Sequence, residues 1–254
     1  MSLPAFFNRI MCMELVYLYH SGFALLADGV TVIMDYFEDS VSAGAGVLHD
    51  RILQRPGRLY VLASHFHADH FNPDILSWRE RRPDAVYLLS RDIYRHRKPV
   101  REVPGIVWLR RGDEYADEGL RVRAFGSTDV GVSFWFSLQG HTFFHAGDLN
   151  NWHWMDESSE EEWRRSERLF LIELGRLKKF APQLDCVMFP VDPRLGREYD
   201  RGARQLVEQI KTAIFVPMHF DEAYAAAAAF GPVAGRTGAR MVELRQRGQT
   251  EQLF

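Results

Sequence analysis

After a mixed opening stretch, the chain settles into short apolar runs separated by turn residues. Residues 14–19, 23–27 and 30–35 are apolar and β-favouring, and Asp28-Gly29 separates the last two. An Asp-Gly pair between two such runs predicts a tight hairpin, because glycine accepts the positive φ that the turn demands. Residues 47–54 read as a helix stopped by Pro56-Gly57, and 59–63 as another short strand. Asn72-Pro73 opens a helix carrying Ile75, Leu76 and Trp78. Residues 85–89, 106–109, 121–125, 132–138 and 142–145 read as strands, the last two turning at Gln139-Gly140. A long helix is predicted over 159–179, with an acidic first turn and a basic last turn that suit the helix dipole. Then come a strand over 186–190, a helix over 201–211, a strand over 213–217, an alanine-rich helix over 221–230 and a last strand over 241–244. Runs of strands followed by alternation with helices, once in each half, predict an α/β protein with two sheets face to face and helices outside, a four-layer αββα arrangement.

A chain of 254 residues, 46% hydrophobic and 26% charged, can bury a large core without disulfide staples. It shows no repeat, low-complexity segment or linker, which predicts a single domain over 13–254 behind an N-terminal extension over 1–12. The net charge of −3 provides no bulk field for nucleic acid or an anionic membrane. No apolar run reaches membrane-spanning length and no export signal is visible. Cys12 and Cys186 lack metal-ligand spacing and read as free thiols of a reducing compartment, so a cytoplasmic protein is expected.

Candidate chemistry gathers in Ser64-His65-Phe66-His67-Ala68-Asp69-His70, directly after the strand over 59–63. A strand running into a loop aims alternate side chains the same way, so His65 and His67 can face one point while Asp69 and His70 turn toward a second. Imidazole and carboxylate are the donors that suit zinc, iron or manganese. Asp148, after a strand and Gly147, and His219, after the strand over 213–217, sit where turns can project them into a cleft.

His65-x-His67-x-Asp69-His70 after a strand resembles the signature of the metallo-β-lactamase superfamily. The resemblance runs from about Tyr19 to His219. His20-Ser21-Gly22-Phe23 and Asp35 resemble the opening strands of its lactonase-like and uncharacterised hydrolase branches, His145-Ala146-Gly147-Asp148 the segment whose Asp bridges two metals, and Pro217-Met218-His219 the last ligand segment. It implies a four-layer αββα metallo-β-lactamase sandwich with one or two Zn2+ ions, Mn2+ or Fe2+ being the alternatives. His65 and His67 would hold the first ion, Asp69, His70 and His219 the second, and Asp148 both. Asp35 would orient a ligand histidine, and Asp69 or Asp148 would take up a proton. The family usually supplies a third His to the first ion, but here the matching segment, residues 124–129, has none. Asp129, His153 and His20 are the candidates to complete it.

The expected activity is hydrolysis of a small-molecule ester, lactone, thioester or phosphoester by a metal-activated water. Alternatives are a phosphodiesterase or nuclease on nucleic acid, which would want a basic channel, and a non-hydrolytic metal-binding module. Trp152 could line the pocket wall, and Arg194 could grip an anionic substrate group or simply pair with a neighbouring carboxylate. The basic run over 91–101 reads as a solvated face. Homo-oligomerisation is left open by the sequence.

Overall fold

A computed structural model describes residues 12–41 and 46–254. The extension expected over 1–12 therefore lies, apart from Cys12, outside the described residues. One seven-stranded sheet contains β1 (Glu14–Tyr19), β2 (Gly22–Ala27), β3 (Val30–Met34), β4 (Arg58–Ala63), β5 (Val86–Ser90) and β6 (Ile106–Leu109). The other contains β7 (Glu114–Ala116), β8 (Arg121–Phe125), β9 (Ser133–Leu138), β10 (His141–His145), β11 (Gln183–Pro190), β12 (Lys211–Met218) and β13 (Arg240–Met241). β14 (Thr250–Gln252) returns to the first sheet, giving the order β14-β1-β2-β3-β4-β5-β6 against β13-β12-β11-β10-β9-β8-β7.

Each sheet begins as an antiparallel meander and continues in parallel: β1-β2-β3 is antiparallel and β3-β4-β5-β6 parallel, just as β7-β8-β9-β10 is antiparallel and β10-β11-β12-β13 parallel. The first sheet buries both faces, which is why its strands read as near-continuous apolar runs. Tyr17, Phe23, Leu25, Val32, Met34 and Leu62 face the second sheet in the central core. Their neighbours Val16, Leu18, Ala24, Ile33, Val61 and Ala63 point outward, under Leu48, Ile52, Ile75, Trp78 and Ile93. Those five belong to short helical pieces: the turn Leu48–Ile52, Pro73–Glu80 opened by an Asn72 cap, and α1 (Arg91–His96).

On the far side lie α2 (Glu160–Phe180) and α3 (Arg201–Gln209). α2 starts where Ser159 accepts from the Glu162 N–H and Glu162 reaches back to Ser159, a reciprocal capping box. It buries Phe170, Leu174 and Leu177, each such side chain stabilising the fold by about 1.5–3 kcal/mol.

Several local expectations are corrected. The helix expected over 221–230 is two short pieces, α4 (Tyr224–Ala228) and α5 (Gly231–Arg236), because Gly231-Pro232 restarts it. The last strand expected over 241–244 is only the pair Arg240–Met241. The basic run over 91–101, by contrast, is the solvated face expected of it: α1 and the helical turn Lys98–Glu102 bury Ile93 and Val100 and leave Arg91, Arg95, Lys98 and Arg101 exposed. No helix among the described residues is long and apolar enough to cross a membrane.

The direction of the strands decides where chemistry can occur. β1, β3 and β4 run the same way in the first sheet, as do β8, β10, β11 and β12 in the second. The residues just past their C-terminal ends are His20, Asp35, Ser64, Asp129, Asp148, Asp192 and His219, and all of them come together at one edge of the sandwich.

Candidate metal centre

β4 ends at Ala63 and its chain turns at once into the histidine loop. α1 and the residue that follows it pin that loop from outside: Asp92 accepts from the Phe66 N–H at 3.0 Å and Arg97 donates to the Phe66 carbonyl at 2.9 Å. Inside the loop two groups of four donors form, His20, Asp69, His70 and His219 in one and His65, His67, Asp129 and Asp148 in the other. The donor atoms of each group lie within 4.8 Å of one another. Asp148 stands between the groups. Its Oδ1 is 3.0 Å from His70 Nε2 and 3.2 Å from His219 Nε2, while its Oδ2 is 3.3 Å from His65 Nε2.

The far nitrogens of the imidazoles are occupied. His70 Nδ1 donates to Asp35 at 2.7 Å, His219 Nδ1 to Asp192 at 3.0 Å and His20 Nδ1 to Asp221 at 2.8 Å. His65 Nδ1 donates to Ser64 Oγ at 2.9 Å, and that hydroxyl donates onward to Asp35 at 2.6 Å. A ring whose Nδ1 carries the proton can turn an Nε2 lone pair toward the centre; that nitrogen makes no hydrogen bond in His20 and His70, whereas in His65 it lies 3.0 Å from His67 Nδ1. His67 differs, turning Nδ1 inward to lie 3.4 Å from Asp129 Oδ2.

The charges answer one another. Burial alone would raise the Asp148 pKa, but the His70 and His219 rings outweigh it and hold the carboxyl well below its usual range. Burial would lower the His219 pKa, yet Asp148 and Asp192 push it up to about 9. Asp35 is fully buried, and His145, His70 and His65 offset that burial and keep it below the ordinary carboxyl value. A set of carboxylates that recruits protons onto nearby histidines is a set arranged for positive charge.

Whether these residues fit a cation is answered by atoms left without partners. His20 Nε2, His70 Nε2 and Asp148 Oδ1 are buried and make no hydrogen bond. Orphaned polar atoms are costly in a folded interior, and three converging on one spot fit a bound ion that accepts their lone pairs. Backbone strain marks the same place. His20, Asp35, His219 and Asp221 all have positive φ, between 43° and 63°, a region side chains with a Cβ seldom enter. Close packing holds the loops together. Gly147, with φ +52°, has no room for a Cβ, which would lie 2.7 Å from that of Ser64.

Of the residues singled out in the sequence, His65, His67, Asp69, His70, Asp148 and His219 meet at the site, with Asp35 behind His70. Asp129 joins the group of His65 and His67, where no third histidine stands. His20 joins the other group, not the first. His153 is a correction: its Nε2 bonds the Glu198 carbonyl and its Nδ1 accepts from the Met155 N–H, so both nitrogens are committed to backbone away from the donors. Arg194 grips Asp192 through Nε and Nη2, the carboxylate-paired alternative. Trp152 donates to the Asp148 carbonyl and sets its ring 5.2 Å from that of His219. Asp192 and Asp221 were not anticipated. The available signal was position, since each follows a strand end closely, as the donors do.

Comparison with known proteins agrees with this construction. The family model described as Beta-lactamase superfamily domain matches residues 49–220. Igni18, a metallo hydrolase from the archaeon Ignicoccus hospitalis, is similar in structure with a TM-score of 0.67 at 17% identity, covering 96% of this chain and 99% of that one. A putative metal-dependent hydrolase from Parabacteroides distasonis gives 0.60 at 13%, over 93% and 94%. CmlA, a diiron β-hydroxylase from Streptomyces venezuelae, gives 0.64 at 13%, over 96% of this chain but 54% of that longer one. No curated protein matches the sequence. With two facing mixed sheets, two His/Asp donor groups at one edge and a family match across most of the chain, this protein belongs to the metallo-β-lactamase superfamily of metal-dependent hydrolases.

Proposed function

We propose that the chain hydrolyses a small-molecule ester, lactone, thioester or phosphoester using cations held by His20, His65, His67, Asp69, His70, Asp129, Asp148 and His219. The observation that carries this reading is the pair of donor groups sharing Asp148, with three inward-facing atoms buried and unpartnered. Their imidazoles and carboxylates suit zinc, iron or manganese. When bound, such cations bring the pKa of a water down to about 7 and polarise the oxygen of the scissile bond.

The protein's own groups supply the rest. Asp148 is nearly buried and aligns the two groups. Asp69 is part exposed, and although burial opposes it, the His20 and His70 rings keep its carboxyl below the usual range and ionised at neutral pH. At the mouth it can accept a hydrogen bond from a water or a substrate hydroxyl. Trp152 offers a flat apolar wall beside His219 for the body of a substrate.

The test is metal content of protein purified without added metal, followed by a screen of ester, lactone, thioester and phosphodiester substrates. At least one firmly bound cation and turnover of one of these classes are expected. Asp148→Ala should lower turnover by at least about 100-fold and reduce the ion content while the circular dichroism spectrum is kept. Undiminished turnover in that variant would refute the assignment.

A further inference from the structure

We infer that the two cation positions are unequal: the group of His20, Asp69, His70 and His219 fills first and keeps its ion, whereas that of His65, His67 and Asp129 exchanges its ion with the medium and accepts a harder cation. This rests on the metal reading above and adds an order of filling and a choice of ion to it.

Three independent features separate the positions. The first is the donor set. One position has three imidazoles and Asp69, with Asp148 Oδ1 adjacent; the other has two imidazoles and two carboxylates. Nitrogen-rich sets favour zinc and its neighbours, while a larger share of carboxylate, here from one imidazole fewer, shifts preference toward manganese and magnesium.

The second is preorganisation. Each imidazole of the firm position is fixed from behind by its own carboxylate: His20 by Asp221, His70 by Asp35 and His219 by Asp192. Among the described residues, the His67 ring and the Asp129 carboxylate make polar contacts only within their own group, with His65 and with each other. Donors already held in place lose little freedom when an ion arrives, and donors held only by one another lose more.

The third is access to water. In the inner group the His20, His70 and His219 side chains are 2%, 0% and 6% exposed and only Asp69, at 38%, reaches water, whereas in the outer group His65 is buried but His67 and Asp129 are 40% and 42% exposed. Water can therefore replace His67 or Asp129 at the outer position, whereas leaving the inner one strands buried atoms without partners.

The experiment is stepwise removal of metal. Protein carrying Zn2+ is dialysed against rising concentrations of a chelator, and retained ions per chain are counted by mass spectrometry. Two steps are expected, with about one ion per chain between them and the second step needing roughly 10-fold more chelator or higher. Asp129→Ala should remove the loose step and leave the firm one in place. His20→Ala should instead move the firm step down, and Asp221→Asn, which changes only an exposed carboxylate behind His20, should do so with the fold undisturbed. Zn2+-loaded protein equilibrated with excess Mn2+ should hold one of each. Release of both ions in a single step, or a firm ion that survives His20→Ala and Asp221→Asn but is lost from Asp129→Ala, overturns the inference and leaves the metal reading standing. Absence of any bound cation under all conditions overturns both.

Discussion

At the scale of single residues, the site depends on backbone atoms that approach more closely than a side chain would allow. Gly131 has φ +76°, and a Cβ there would lie 2.1 Å from the Ser64 carbonyl and 2.5 Å from the His65 Cβ. The contact is used, because Val132 N–H donates to that carbonyl at 3.0 Å. Gly131→Ala is therefore expected to cost about 2–4 kcal/mol of stability and to displace His65, visible as a lower denaturant midpoint together with reduced ion content. Asp192→Asn should act differently. It removes the charge that holds both His219 and Arg194 but fits the same space, so ion affinity should fall about 10- to 100-fold with little change in the denaturant midpoint. Unchanged affinity by direct titration would contradict the role given to Asp192. These cases show which residues can be read from sequence. His65, His67, Asp69 and His70 are legible because their density in one loop has few other uses. Asp192 and Asp221 are ordinary turn carboxylates until the tertiary fold sets them behind His219 and His20. His153 was misleading, since a histidine close to Asp148 in sequence is turned toward the backbone of Glu198.

At the scale of elements, apolar period and end charges are legible wherever an element is long or buried on a regular face. The long helix starting at Ser159, with its acidic first turn and basic last turn, and the apolar strands of the first sheet are such cases. β7 and β14, three residues each and mostly exposed, carry no apolar period to detect, and only their pairing with β8 and β1 makes them strands. The turn Leu48–Ile52 is organised by a group that lies well before it in sequence. Asp39 accepts from the N–H groups of Ser40, Gly46, Leu48 and His49 and from His49 Nδ1. Burial would raise its pKa, but the Leu48 N–H and the His49 ring outweigh that and hold the carboxyl below its ordinary value. A depressed carboxyl contributes its stabilisation in full above the unfolded-state pKa of about 4 and loses it as pH falls through the folded value. Asp39→Ala is expected to cost about 3 kcal/mol near neutral pH, with the difference from the parent shrinking below about pH 4. Urea unfolding at several pH values checks this, and a gap that stays constant into acid would mean that the loss is steric rather than ionic.

At the scale of the whole molecule, the sandwich buries both its sheets and gathers polar cost at one edge. The edge carries six carboxylates, Asp35, Asp69, Asp129, Asp148, Asp192 and Asp221, beside five imidazoles, His20, His65, His67, His70 and His219. They come from both sheets, and imidazoles that follow first-sheet strands face carboxylates that follow second-sheet strands, as in His70 with Asp148 and His20 with Asp221. His219 N–H donating to the His20 carbonyl at 3.1 Å joins the sheets directly at that edge. A cation bound there interacts with donors of both sheets at once, and a ligand that binds only the folded chain stabilises it by mass action. At a free concentration 100-fold above its dissociation constant the gain is about 2.7 kcal/mol. For a chain of this length that corresponds to a rise of roughly 5–10 °C in the unfolding midpoint. Chelation should therefore lower the midpoint by that amount, and restoring Zn2+ should recover it. The same treatment of Asp148→Ala should produce a much smaller shift, because the residue that couples the two donor groups is gone. Calorimetry on the two proteins, with and without chelator, separates this from a general salt effect: equal shifts in both would mean that the edge does not clamp the sheets through a bound ion.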